Sequence, residues 1–227
     1  AVASLFEIVP MFTIKSDIPR IASVTPYRPL ELVGRDLYIS EGCVNCHSQM
    51  IRPLRAETER YGEYSKPGEF VYDHPFQWGS RRIGPDIARV GKKIPSPLWH
   101  LRHFREPTDT SPGSIMPAYP HLLEEEIDFS QATRAVAAMR RVGVPYEETD
   151  LAAAEADARE QAQTIASQMA EEAESPDLLA MSDREVTALI AYLMRLGVDI
   201  ARPIPVEEAG GDMLASRDGV ETTEGSR

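Results

Sequence analysis

The chain has 227 residues, 42% of them hydrophobic, which is enough to bury a core in one domain with elaborations or in one and a half domains. Its net charge of −12 is uneven: residues 1–120 carry 15 Lys+Arg against 13 Asp+Glu, and residues 121–227 carry 9 against 23. Such a balance argues against nucleic acid, whose phosphates need a basic face, and no stretch reaches the ~20 apolar residues of a membrane span. The acidic half fits two readings: a surface that steers a basic partner, or a solvated helical face with a loose tail.

The first 14 residues are apolar, too short to span, and lack the basic region of a signal peptide. They read either as the outer end of a membrane helix or as a buried N-terminal element. From Pro26 to Ser40 the pattern is helical. Pro29 suits a first turn, where its missing N–H costs nothing. Leu30, Val33 and Leu37 form an apolar stripe, and Gly34 and Tyr38 lie four apart on an adjoining line, where the glycine lets another helix approach. Gly42 ends the helix.

Cys43-Val44-Asn45-Cys46-His47 follows. This C-x-x-C-H is the attachment signature of a c-type haem. Two thiols one turn apart can add to the vinyl groups on one porphyrin edge, and the adjoining imidazole can bind the iron. Cys43 and Cys46 are the only cysteines. Two alternatives stand beside this reading. A redox dithiol needs a βαβ setting, and these flanks look helical. A structural zinc site needs a second close pair of ligands, which His74, His100, His103 and His121 do not form.

Residues 48–82 are rich in Gly, Pro, aromatic and charged residues and read as a long, ordered, functional loop, with Gly68–Asp73 resembling a short strand. Its arginines (Arg52, Arg55, Arg60, Arg81) are either partners for haem propionates or surface charges. Gly84-Pro85-Asp86-Ile87 marks a tight turn. Ser96 caps a short helix from Leu98 to about Arg105, which Pro107 ends. After a turn-rich loop, Ile115-Met116-Pro117 is extended, because a proline pushes the preceding residue away from helix. Helices are expected over Glu124–Arg141, with Gly143 as stop, and over Asp150 to about Glu174. The second has a thin apolar stripe and so reads as a surface helix or a cover for a partner. Ser182–Gly197 is the best-defined helix: Ser182 and Glu185 make a capping box, and Val186, Leu189, Ile190 and Leu193 form its buried face. Residues 201–227 read as an acidic, disordered tail.

A haem held by His47 needs a second axial ligand or an open site. Met50 is tied to the His47 side. Met139, Met169, Met181 and Met194 sit in helical patterns, where methionine fills cores. Met116 stands in a rigid loop that can present a thioether across the porphyrin. His74, His100 or an open site are the alternatives. Met/His ligation raises the potential and suits electron transfer. For the other imidazole N–H of His47, which ligand histidines usually donate to an acceptor, the Pro85 carbonyl is the expected partner.

Together these residues resemble the class I cytochrome c fold: a helix before C-x-x-C-H, a Gly-Pro turn behind the histidine, a loop Met-Pro, and a last helix crossing the first. Gly34 and Tyr38 match the first helix, Leu189 to Leu193 with Tyr192 the last. The expected fold is thus mainly α, a helical domain around one covalent haem with a long loop insertion and extra C-terminal helices. The motif with its continuation through Met50-Ile51-Arg52-Pro53, Arg60-Tyr61-Gly62, Gly68-Glu69-Phe70-Val71-Tyr72-Asp73-His74-Pro75-Phe76, Trp78-Gly79-Ser80, Gly84-Pro85-Asp86 and Met116-Pro117-Ala118-Tyr119-Pro120 is similar to the monohaem cytochrome c subunit (subunit II) of cbb3-type cytochrome c oxidases. The likeness spans roughly residues 5–200. It implies an N-terminal membrane anchor and linker (1–25), a cytochrome domain (26–200, with insertions 48–82 and 124–177) and a tail (201–227). It also implies one covalent heme c on Cys43, Cys46, His47, Pro85 and Met116, with iron on His47 and Met116. Implied too is a place on the periplasmic side of a bacterial inner membrane, between a diheme cytochrome c subunit or soluble cytochrome c and the haem b of the catalytic haem-copper subunit. No substrate chemistry is expected in the chain itself. The competing reading is a free, or nitric oxide reductase-associated, monohaem cytochrome c.

Overall fold

The fold is that of a computed structural model, which describes residues 5–6 and 18–202. Most of the apolar N-terminal segment and the acidic tail, read above as anchor and disordered tail, lie outside the described residues. Among the described residues there is no β-strand beyond one isolated bridge, Glu126 with Arg184.

Two crossed helices organise the core: α1 (Pro29–Ser40) and α9 (Glu185–Arg195). Pro29 opens α1, and the Glu31 carboxylate accepts the Arg28 N–H at 2.7 Å, satisfying a donor that the first turn leaves free. The expected stripe is realised. Leu30, Val33, Val186, Leu189 and Ile190 are buried together, with Tyr38 and Tyr192 in edge-tilted contact at 5.5 Å. Gly34 makes the crossing possible. A Cβ there would sit 1.8 Å from the Ala188 carbonyl oxygen and 3.0 Å from Tyr192 Cβ. α9 is seated on a second glycine at its other end, where a Cβ on Gly91 would lie 2.1 Å from the Met194 oxygen.

Between these helices come α2 (Arg55–Tyr61), α3 (Val90–Lys93), α4 (Pro97–Arg105), α5 (Pro107–Thr110), α6 (Pro120–Glu124), α7 (Ser130–Arg141) and α8 (Glu148–Glu172). Ser96 caps α4 as expected, its hydroxyl accepting the Trp99 N–H at 3.0 Å. α8 packs on α1, α7, α4 and α9. Its stripe is thin because it is made of small residues: Ala154, Ala158 and Ala162 are fully buried, continuing through Ala166 and Met169. The narrow side chains let α8 lie against its own domain. Its inner face is core, and an ion pair from Arg28 to Asp157 ties it to the start of α1.

Four local expectations need correction. Gly68–Asp73 is no strand: Pro67–Phe70 is a 3₁₀ turn whose N-terminus is capped by Glu69, which accepts the Lys66 N–H at 2.8 Å. The long loop contains α2. The helix expected over Glu124–Arg141 is broken at residues 125–129, because that segment runs extended against the entry to α9. There Ile127 N–H donates to the Asp183 oxygen at 2.8 Å and Glu185 N–H to the Glu125 oxygen at 3.1 Å. The Ser182–Glu185 capping box does not form. Ser182 belongs to a 3₁₀ turn, Pro176–Asp183, and Arg184 is the residue that enters α9.

Candidate functional site

Gly42 holds the left-handed conformation (φ 69°) that ends the connection from α1, and the chain turns at once into a 3₁₀ turn, Cys43–Asn45. A φ of this sign suits glycine. The turn stacks both thiols and the His47 imidazole along one wall of a cavity of about 530 Å³, a size typical of small-molecule and cofactor sites. Tyr38 and, from α9, Leu189 and Leu193 form an apolar side. Residues 83–94, α4 and the loop 111–117 complete it, bringing Met116 to the same cavity.

The imidazole is fixed on two sides. His47 Nδ1 lies 2.8 Å from the Pro85 carbonyl oxygen. A carbonyl only accepts, so Nδ1 carries the proton and Nε2 keeps a free lone pair. Behind the ring, Gly84 approaches so closely that a Cβ would lie 2.2 Å from His47 Cε1. The Gly84–Pro85 turn is held in turn by Asp86. Its carboxylate accepts Ser48 Oγ–H at 2.6 Å, Met50 N–H at 2.9 Å and Ala88 N–H at 2.9 Å. Arg82 adds bonds to Ser48 Oγ (2.7 Å), Met50 O (2.9 Å) and Glu57 (2.7 Å). That hydrogen bond from Arg82, with others from Arg52, drives the Glu57 carboxyl down to about 2, so it stays ionised.

The cysteines are free and half-buried. Burial, reinforced by the nearby Glu41 carboxylate, pushes the Cys43 thiol up to about 12. A catalytic dithiol has the opposite character, a thiolate stabilised by positive surroundings. Among the described residues no group of three or more His, Cys, Asp or Glu side chains is placed to hold a metal ion. Neither alternative reading of the motif therefore gains structural support.

Met116 is partly buried against the main core, its backbone N–H held by Ser114 Oγ at 3.2 Å. Of the histidine alternatives, His74 is not among the residues lining the cavity. His100 lines it, yet its Nε2 lies 3.0 Å from the Ile94 oxygen, and burial depresses its pKa to about 4. His103 also lines it, stacked on Trp99 at 4.7 Å with Nδ1 2.5 Å from Thr110 Oγ1. The arginines of residues 48–82 are not in the cavity wall. Arg52 and Arg82 bind Glu57 instead, and the cations lining the cavity are Arg89, already paired with Glu69, and Lys93. Arg89, Lys93 and Trp99 are wall residues that the sequence does not mark. They carry no motif, and only their placement at the start of α3, on α3 and on α4 identifies them.

The residues present fit a porphyrin. Two thiols, a pre-oriented imidazole and a thioether share one largely apolar cavity. The helical fold and this donor set define a cytochrome c-like domain. The model of the family described as cytochrome c oxidase, mono-heme subunit/FixO, matches residues 1–200. The chain belongs to that family and is the monohaem electron-transfer subunit of a cbb3-type oxidase. A comparison with curated proteins returned no match.

Proposed function

We propose that this chain carries a single covalent heme c, on Cys43 and Cys46, with His47 and Met116 as axial ligands. Through it, electrons pass singly from a diheme cytochrome c subunit or a soluble cytochrome c to the haem b of the catalytic haem-copper subunit. The carrying observation is the convergence of Cys43, Cys46, His47 and Met116 on one cavity, with His47 Nδ1 committed to Pro85. Bound there, the haem supplies one-electron chemistry, at a potential raised by the soft thioether ligand.

The chain's own residues do the rest. Pro85 and Gly84 hold the imidazole with Nε2 presented to the cavity. Leu189, Leu193 and Phe104 exclude water, and Ser114 holds the backbone of Met116. Lys93, at the cavity wall, is the cation placed to meet a propionate. Were His47 and Met116 both to hold the iron, no place on it would remain for a substrate, and the domain would relay electrons without bond chemistry. No described helix is long and apolar enough to cross a membrane. The family reading supports membrane association through the apolar N-terminal segment, with the cytochrome domain on the periplasmic side.

The test is the assembled oxidase with Cys43→Ala and Cys46→Ala combined. The haem-stained band of this subunit should vanish on a denaturing gel, and electron delivery from donor cytochrome should fall while dithionite still reduces the catalytic haems. A haem-stained band that survives the double substitution refutes the attachment.

A further inference from the structure

Behind the α1–α9 crossing lies a second, small cavity of about 50 Å³. A water needs roughly 10–15 Å³ of such space and two to four polar partners, so this chamber has room for a few waters. Its lining mixes apolar side chains with charged and amide ones. Gln49 and Asp73, 1% and 2% exposed, both border it, and each holds a polar atom with no partner: Gln49 Nε2 and Asp73 Oδ1. Asp199, another lining residue, is ion-paired with Arg195 at 2.5 Å and with Arg202 at 3.2 Å. Orphaned buried groups like those of Gln49 and Asp73 are rare and costly. A leftover donor and a leftover acceptor on two residues of one chamber wall mark it as a polar flaw in the core.

The chamber touches the main site through Gln49. This residue lies two positions after His47, its backbone N–H donating to the Trp78 oxygen at 2.7 Å. Its Oε1 accepts Tyr192 O–H at 3.1 Å, and Tyr192 packs on Tyr38, a residue of the large cavity's wall. On the far side, Asp73 faces Arg35 of α1, with Nε 3.7 Å away and itself without a hydrogen bond. The pair is therefore loose. Arg35 spends a different nitrogen on the Pro75 oxygen, at 2.5 Å. Tyr27 before α1 and Tyr192 on α9 also face Asp73, and His74 adjoins it. Arg195, Asp199 and the paired Glu69 and Arg89 line the rest of the chamber.

We propose that Asp73, a buried carboxyl bordering the chamber and only loosely paired with Arg35, binds a proton when the redox centre gains an electron. The proposal rests on a haem at Cys43–His47. The electron arrives from the donor cytochrome and adds one negative charge. A solvent proton, entering along the chamber beside exposed Thr25, forms an O–H bond on the Asp73 carboxylate. When the electron leaves for the catalytic subunit, that O–H bond breaks and the proton returns to solvent. The loose ion pair is what permits the exchange, since a tight bidentate pair would hold the carboxylate ionised in both states. Burial pushes the carboxyl up to about 6, against the pull of Arg35 and a hydrogen bond from Tyr27, so it titrates in a usable range.

The experiment is a spectroelectrochemical titration of the full chain carrying its haem, from pH 4.5 to 8, in wild type and Asp73→Asn. The wild-type midpoint should fall as pH rises through the region of 6. A tenfold weaker proton affinity in the oxidised state reads as a fall of about 59 mV. Asp73→Asn should stay level across that region, near the acid-limit value of the wild type. An equal slope in both proteins overturns the proposal and points to another group. Should the variant not fold, redox-difference infrared spectra of wild type labelled with [4-¹³C]aspartate decide. A labelled protonated-carboxyl band that grows on reduction is expected, and its absence overturns the proposal. A pyridine haemochrome on each sample separates the layers: no haem defeats the function reading with it, whereas haem with a pH-independent wild-type midpoint defeats this inference alone.

Discussion

Gly34→Ala tests whether close approach of α1 and α9 holds the fold. In an exposed helix the change would add about 1 kcal/mol of stability, because alanine is the better helix former. Here the new Cβ would lie 1.8 Å from the Ala188 carbonyl oxygen, roughly 1.7 Å short of an ordinary contact of about 3.5 Å. The obstacle is backbone, so no side chain can swing aside. The helices must part, and a gap of 0.5–1 Å already forfeits about a quarter to a half of each contact's dispersion energy. Leu30, Val33, Tyr38, Leu189 and Tyr192 lie along this seam. Overpacking of a tight core costs about 1–3 kcal/mol, occasionally more, and this site belongs at the upper end. We expect a net loss of about 3 kcal/mol, read by circular dichroism on the haem-loaded chain as a drop in Tm of about 6–12 °C. Stability within about 0.5 kcal/mol of wild type would refute the argument and show that the crossing can relax.

Three further predictions follow from the site. Gly84→Ala places a Cβ 2.2 Å from His47 Cε1; it should tilt the imidazole off Pro85 and cost about 1–3 kcal/mol, seen as a shifted iron–histidine mode in resonance Raman spectra of the loaded protein. Met116→Ala should abolish the sulfur–iron charge-transfer band of the oxidised protein and lower its potential, and an unchanged spectrum would assign the ligand elsewhere. His100, 2% exposed, has its pKa depressed from 6.5 to about 4 by burial. The unfolded chain therefore binds a proton that the folded one refuses as pH falls from 6.5 to 4. This costs nothing above pH 7 and about 3 kcal/mol below pH 4, so unfolding titrations of His100→Gln should show a shallower acid loss than wild type.

What the sequence disclosed depended on how local the signal was. Cys43–His47, Gly84–Pro85 and Met116–Pro117 are contiguous motifs whose chemistry can be read from a few residues. The Gly34–Tyr38 line and the α9 stripe are periodic, and periodicity survives folding. The short helix α2 and the break at residues 125–129 were not legible. The first lies in a stretch crowded with Gly, Pro and charge. The second is imposed by pairing with residues 183–185, more than fifty positions away. The same holds for the arginines after the motif: attraction to propionates and attraction to Glu57 look alike in a sequence, and only the fold chose Glu57. The chamber around Asp73 gathers residues from 24 to 200 with no shared spacing, so nothing along the chain announced it.

The seating of α9 on Gly34 and Gly91 has a consequence for the completeness of the site. Cys43 and Cys46 lie nearly 150 residues before Leu189 and Leu193, which form another wall of their cavity. Without α9 that wall is missing and the pocket is incomplete. Seated against its two glycines, α9 completes it, so the site is whole only when both ends of the described domain have met.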